Sequence, residues 1–141
     1  LGGGGAGGAP PNLLDHPVYL PPMALALSSR AMALQALGRV PQALRDLDRA
    51  LRLRPWDPQL HYNRAACRLA LAQWEEALLD FRQGRELAVE LGAADAWAYL
   101  AKMATCEAQL GRHGAAVAAF EEALVEGAAA ARRQGFRGHG G

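Results

Sequence analysis

The stretch LQALGRVPQALRDLDRALRLRP, residues 34–55, decides the fold. Its apolar residues fall three and four apart on both sides of a break at Gly38, the spacing of one face of an α-helix. The same arrangement returns in LALAQWEEALLDFRQGREL, residues 69–87, and in AQLGRHGAAVAAFEEALVEG, residues 108–127. Gly38, Ala72 and Gly111 form one column of the alignment, and Ala43, Ala77 and Ala116 a second. Leu47, Phe81 and Phe120 form a third, and Ala50, Gly84 and Ala123 a fourth. Upstream, Ala31, Ala65 and Ala104 also coincide, and the copies are separated by 34 and then 39 residues.

Each copy therefore reads as two amphipathic helices, at roughly 24–37 and 40–53, 58–71 and 74–91, and 95–110 and 113–126. Small residues at fixed places let paired backbones approach closely, while Leu47, Phe81 and Phe120 fill the space between pairs. No single pair buries its own apolar face, so neighbouring pairs must stack. The longer second step implies a longer helix over 74–91, with Gly92 as its stop and Asp95 as the next N-cap. Pro55 and Pro58 bracket a short turn between the first two copies.

The bulk numbers agree with one helical domain. The chain has 141 residues, 51% hydrophobic and only 6% aromatic, and is dominated by Ala and Leu, which favour closely packed helices. A net charge of +1 gives no whole-chain pull toward nucleic acid or membrane. Lys102 is the only lysine. Cys67 and Cys106 lie in apolar helical patterns and read as buried thiols of a reducing compartment, so a cytoplasmic location is expected. No run of 18 uncharged apolar residues marks a membrane span. Residues 1–22 read as a Gly/Pro-rich lead-in, 23–126 as three repeats (about 24–57, 58–94 and 95–126), and 127–141 as a helix extension and Gly-rich tail. The opening LGGGGAGGAPP reads as a piece of a larger polypeptide.

A search for chemistry finds no catalytic constellation. His16, His61, His113 and His139 are isolated, so no zinc set is expected. Cys67 and His61 are six apart, a poor match to one helix face, and no group activates the thiol. GGGGAGG lacks the Gly-Lys-Ser/Thr that completes a phosphate loop. Glu75 and Glu76 sit at a helix start, where the helix dipole favours them. Arg45, Arg49 and Arg52 share a face of helix 40–53, but Asp46 and Asp48 interleave and no aromatic residue stands among them to stack a base. A solvated outer face is the expected reading. No enzyme activity, no cofactor and no nucleic-acid partner are expected.

With the columns of Ala31, Gly38, Ala43, Leu47, Ala50 and Pro55 in hand, the chain resembles the tetratricopeptide repeats over about residues 24–126. It departs from that family at Leu27 and Leu34, where Trp or Tyr is common. The segment RELAVELGAADAWAYLAKM resembles a longer, roughly 40-residue variant of the repeat. The resemblance implies an all-α, right-handed superhelix of about three helix–turn–helix repeats, whose first helices line a concave groove for peptides. The groove residues would be Ser28, Met32 and Gln35, then Gln59, Tyr62, Asn63, Ala66 and Leu69, then Lys102, Thr105 and Gln109. Ser29, Ala98 and Ala101 would lie among them.

Asn63 stands where the chaperone-binding subgroup carries an Asn that holds the C-terminal end of a peptide. Lys102 stands where that subgroup uses Arg or Lys. Ser28, Met32 and Ala98 replace the remaining Lys, Asn and Lys, so the carboxylate clamp is incomplete. Charge-assisted contacts contribute about 1.5–3 kcal/mol each, so losing two weakens carboxylate binding about 100-fold or more. Two readings follow. One is an adaptor that takes a peptide or helix of a partner protein; the other is a structural segment of a longer scaffold with no peptide ligand. An apolar face over 113–126 would lead the isolated piece to self-associate.

Overall fold

The backbone turns at Gly38, Ala72, Gly92 and Gly111 are left-handed, with φ of 78°, 58°, 68° and 79°. Each follows a helix and closes it with the same pair of hydrogen bonds. At Gly38 its own N–H donates to the Gln35 carbonyl (2.9 Å) and the Arg39 N–H to that of Leu34 (2.8 Å). The same two bonds recur at Ala72, Gly92 and Gly111. This is the Schellman arrangement, which satisfies carbonyls that a helix end would leave bare. The Gly38, Ala72 and Gly111 column thus marks a shared turn geometry, which Gly adopts freely and Ala only with strain.

The computed structural model describes the backbone of residues 20–138 and the side chains of residues 22–135. Six helices follow one another: α1 (Leu20–Ala36), α2 (Val40–Leu53), α3 (Pro58–Ala70), α4 (Trp74–Glu90), α5 (Ala96–Gln109) and α6 (His113–Gly138). No strand occurs among the described residues. Helices adjacent in sequence pack on one another along most of the chain, and α1 also touches α3. The result is a stack of three helical pairs.

Three expectations need correction. First, α1 begins at Leu20, inside the expected lead-in, because Pro21 and Pro22 occupy its first turn, where a missing N–H costs nothing. Most of that lead-in, residues 1–19, lies outside the described residues, as does the end of the Gly-rich tail. Second, the helix extension expected after residue 126 is continuous with α6 and runs to Gly138, taking in part of the expected Gly-rich tail. Gly127 does not stop it because it packs beneath Trp97, whose indole lies 3.2 Å from where a Cβ would stand. Third, Asp95 occupies the N-cap position of α5 but its side chain makes no capping bond. Asp57 does cap: its carboxylate accepts from the Gln59 N–H at 3.0 Å and starts α3 after Pro55.

Two buried clusters hold the stack. Leu27, Ala31, Ala43, Leu47, Ala50 and Leu51 close the first pair, and Leu60 and Cys67 of α3 lie against them. Ala65, Ala77, Leu78 and Phe81 form the second, closed by Tyr99 and Cys106 of α5. Leu47 and Phe81, from one sequence column, are each 0% exposed. Burying such a side chain contributes about 1.5–3 kcal/mol. Gly84 lets α5 come close, since a Cβ there would meet the Tyr99 ring at 2.7 Å and His61 Cβ at 3.3 Å.

A ladder of ion pairs runs through the same stack. Arg30 grips Asp46 with two bonds of 2.7 Å, and Arg64 grips Asp80 with bonds of 2.9 and 2.8 Å. Both pairs join the two helices of one repeat. Arg64 then reaches back to Asp48 of the preceding repeat at 2.9 Å, and Arg68 adds a bond to Asp80 at 2.7 Å. Asp46 and Asp80 are buried. So two of the acids interleaved with the arginines of α2 bind guanidinium groups from α1 and α3, while Arg45, Arg49 and Arg52 themselves are exposed.

Candidate peptide-binding groove

The first helices of the pairs, α1, α3 and α5, are consecutive neighbours: α1 touches α3, and Tyr62 of α3 meets Tyr99 of α5. A surface running across them is therefore built from every second helix. Asn63 sits at its α1/α3 seam and is only 9% exposed. Its Nδ2 donates to Ser28 Oγ at 3.1 Å, and its Oδ1 accepts from Gln59 Nε2 at 2.9 Å. The amide orientation follows from those partners. Asn63 thus ties two repeats together, and keeps one N–H and one lone pair uncommitted.

The other groove residues divide by what they touch. Tyr62 stands edge-on to Phe81 (5.3 Å between centroids) and to Tyr99 (5.2 Å), a geometry that favours aromatic pairs. Leu69 leans on the same cluster, and Met32 on the first. These three act as the floor of the surface and contribute to the core. Ala66 and Gln35 are half-buried. On α5, Thr105 Oγ1 donates to the Ala101 carbonyl at 3.1 Å, a bond that ties the hydroxyl to its own helix. Lys102 and Gln109 are exposed, and Lys102 forms no ion pair among the described residues. Ser28, Gln59 and Asn63 are therefore brought together, while no described hydrogen bond links them to Lys102, Thr105 or Gln109.

Open clefts lie away from this surface. One of about 280 Å³ is lined by Arg30, Leu34, Arg39, Gln42, Arg45 and Asp46. Another, about 410 Å³, surrounds the crossing of Trp97 over Gly127. The two thiols are sealed: burial raises both, Cys106 to about 11, which leaves almost no thiolate at neutral pH. Burial also lifts the Tyr99 hydroxyl to about 12. His61 is buried with Nε2 2.9 Å from the Pro55 carbonyl, which fastens α3 to the turn before it.

What the sequence reading missed are Arg30, Arg64, Asp46 and Asp80, the residues that set the spacing of the helices beneath the groove. Their signal was present, since Arg30 and Arg64, like Asp46 and Asp80, are 34 apart. No helix among the described residues is long and apolar enough to cross a membrane, and no three of their His, Cys, Asp or Glu side chains gather as a metal site would.

No protein-family model matches the sequence, and no curated protein matches it. Solved structures do. The N-terminal domain of stress-induced protein-1 from C. elegans superposes with a TM-score of 0.71 at 18% identity, over 76% of this chain and 86% of that one. The second TPR of Spaghetti (RPAP3), bound to the HSP90 peptide SRMEEVD, gives 0.65 at 23% identity, over 73% and 91%. The Arabidopsis OM64 TPR domain gives 0.68 at 19%, over 81% and 95%. Left-handed turns after small residues, paired helices and buried large residues between pairs recur in a stack that these domains share, and the chain has the fold of a tetratricopeptide-repeat domain.

Proposed function

We propose that this chain is a protein-interaction module that takes a peptide or helix of a partner protein across α1, α3 and α5, in the manner of an adaptor or co-chaperone but with an incomplete carboxylate clamp. The observation that carries the reading is the Ser28–Asn63–Gln59 chain, a polar group held rigid at the seam of two groove helices, with Lys102 as an exposed cation on the third. Support comes from the two TPR domains of Spaghetti, which hold an HSP90 peptide on the same fold. Here one lysine replaces two or three cations, so a C-terminal carboxylate adds little and apolar contact with Met32, Tyr62 and Leu69 dominates.

The test is selection of peptides from a display library on residues 12–137. Recovered binders should lose at least about tenfold in affinity to Asn63→Ala with Lys102→Glu, one charge-assisted contact's worth. The circular dichroism spectrum should be unchanged. Binders indifferent to both substitutions, or no enrichment at all, would overturn the reading. The exposed row Val117, Phe120 and Leu124 favours a second reading, in which the chain is a segment of a longer scaffold.

A further inference from the structure

We propose that the two ends of the stack are complementary and that a second copy of this chain docks α1 onto α6, head to tail. Three observations carry this. The first is that α6 repeats a surface that is covered at every internal junction. Leu47 and Phe81 are 0% exposed because α3 and α5 lie over them, yet Phe120 of the same column is 38% exposed. Likewise Leu78 is buried, while its counterpart Val117 is 55% exposed; Leu51 is buried and its counterpart Leu124 is 73% exposed.

The second observation is that α1 carries the covering face with none of the described residues on it. Leu60 and Cys67 cover the first pair, and Tyr99 and Cys106, in the same columns, cover the second. The matching residues of α1 are Ala26 and Ala33, and both are exposed. Ala26 is smaller than Leu60 or Tyr99, and it opens onto a cleft of about 280 Å³ shared with Met23, Leu27, Arg30 and Arg49. Phe120, larger than Leu47 in its column, supplies the volume that Ala26 lacks.

The third observation is charge. Arg64 holds Asp80 with Nε and Nη2 and spends Nη1 on Asp48 of the preceding repeat. Arg30 holds Asp46 with the same two atoms, has no described partner for Nη1, and its side chain is 62% exposed. In the alignment Asp48 corresponds to Arg82 and then to Glu121, and Arg64 to Met103. An acid thus stands on the second helix wherever the helix that would cover it brings an arginine, and an arginine where it brings Met103. A second copy's Arg30 over Glu121 recreates the Arg64–Asp48 contact. Such an interface joins unlike surfaces, so it builds rings or open chains instead of stopping at a dimer.

The experiment is sedimentation velocity on the full chain, with Ala33→Glu to block the head and Leu124→Glu to block the tail. Both sites are exposed, and circular dichroism confirms that each variant folds. The wild-type chain should form dimers and higher species as its concentration rises. Each variant alone should stay monomeric, and an equimolar mixture should form a dimer and go no further, because only one good head meets one good tail. Glu121→Arg should weaken association about two- to fivefold, the range of an exposed pair. A wild-type monomer up to about 1 mM would overturn the proposal. So would self-association of Ala33→Glu, which would mean tail-to-tail contact. Loss of association leaves peptide capture across α1, α3 and α5 unchanged, so the two readings fail separately.

Discussion

Asp80 sits beneath two guanidinium groups, and the cost of disturbing it follows from what would be left behind. Replacing it with Asn leaves Arg68 without its counter-charge and Arg64 with Asp48 alone, both arginines being mostly buried. Breaking one partner of a buried pair costs about 3–5 kcal/mol, and the remaining bond from Arg64 to Asp48 brings the expectation for Asp80→Asn to the lower end, about 3 kcal/mol by urea denaturation. Arg45→Ala, on the exposed face of the same ladder, should stay within about 0.5 kcal/mol. The thiols give an independent check on burial. Cys67 and Cys106 are both 0% exposed, so neither should react with a thiol reagent at neutral pH until denaturant is added, when both should react together. Early labelling of either would mean that its helix junction opens locally.

The turns and helix crossings were the most legible elements. A glycine at a fixed place in a repeat points to positive φ, and Gly38 and Gly111 adopt it; Ala72 gives the same turn at φ 58° with a Cβ in the way. Ala72→Gly should therefore stabilise the domain by about 1 kcal/mol in thermal or chemical unfolding, the strain of one left-handed residue. Gly84 sits in another small-residue column for a different reason. Gly84→Ala should cost about 1–3 kcal/mol, because the new methyl meets the buried Tyr99 ring and the His61 Cβ, and this outweighs the gain in helix propensity. The ends were less legible. Gly127 continues the last helix, and the indole that packs on it comes from Trp97, thirty residues earlier, on the neighbouring helix. Asp95 looked like a cap, but its carboxylate makes no bond to the first turn. Of the groove, the helices were readable from the repeat, whereas Asn63 bonding to Ser28 was not, since 35 residues separate them and only the stacking brings them together. The Arg–Asp ladder escaped for a similar reason. A spacing of 16 belongs to no helix period, and it becomes visible only when two repeats are laid over each other.

At the scale of the whole molecule, each helical pair leans on its neighbours, so titration at one junction is felt as global stability. Tyr99, in the second junction, shows the sign. Its hydroxyl ionises near 10 in the unfolded chain and at about 12 when folded, because burial disfavours the phenolate. The unfolded state therefore loses its proton first as pH rises, and the contribution of Tyr99 to stability is full below pH 10 and falls between pH 10 and 12. Urea midpoints should decline over that interval and decline less in Tyr99→Phe. The two junctions differ in kind. The one between α2 and α3 is stitched by Arg64 to Asp48, whereas the one between α4 and α5 is clasped by Tyr62, Phe81 and Tyr99. Added salt loosens the Arg64–Asp48 contact of the first and leaves the aromatic clasp of the second alone, while cooling weakens the apolar burial that both junctions share. One short stack thus holds two seams of which only one is fastened by charge and answers to ionic strength.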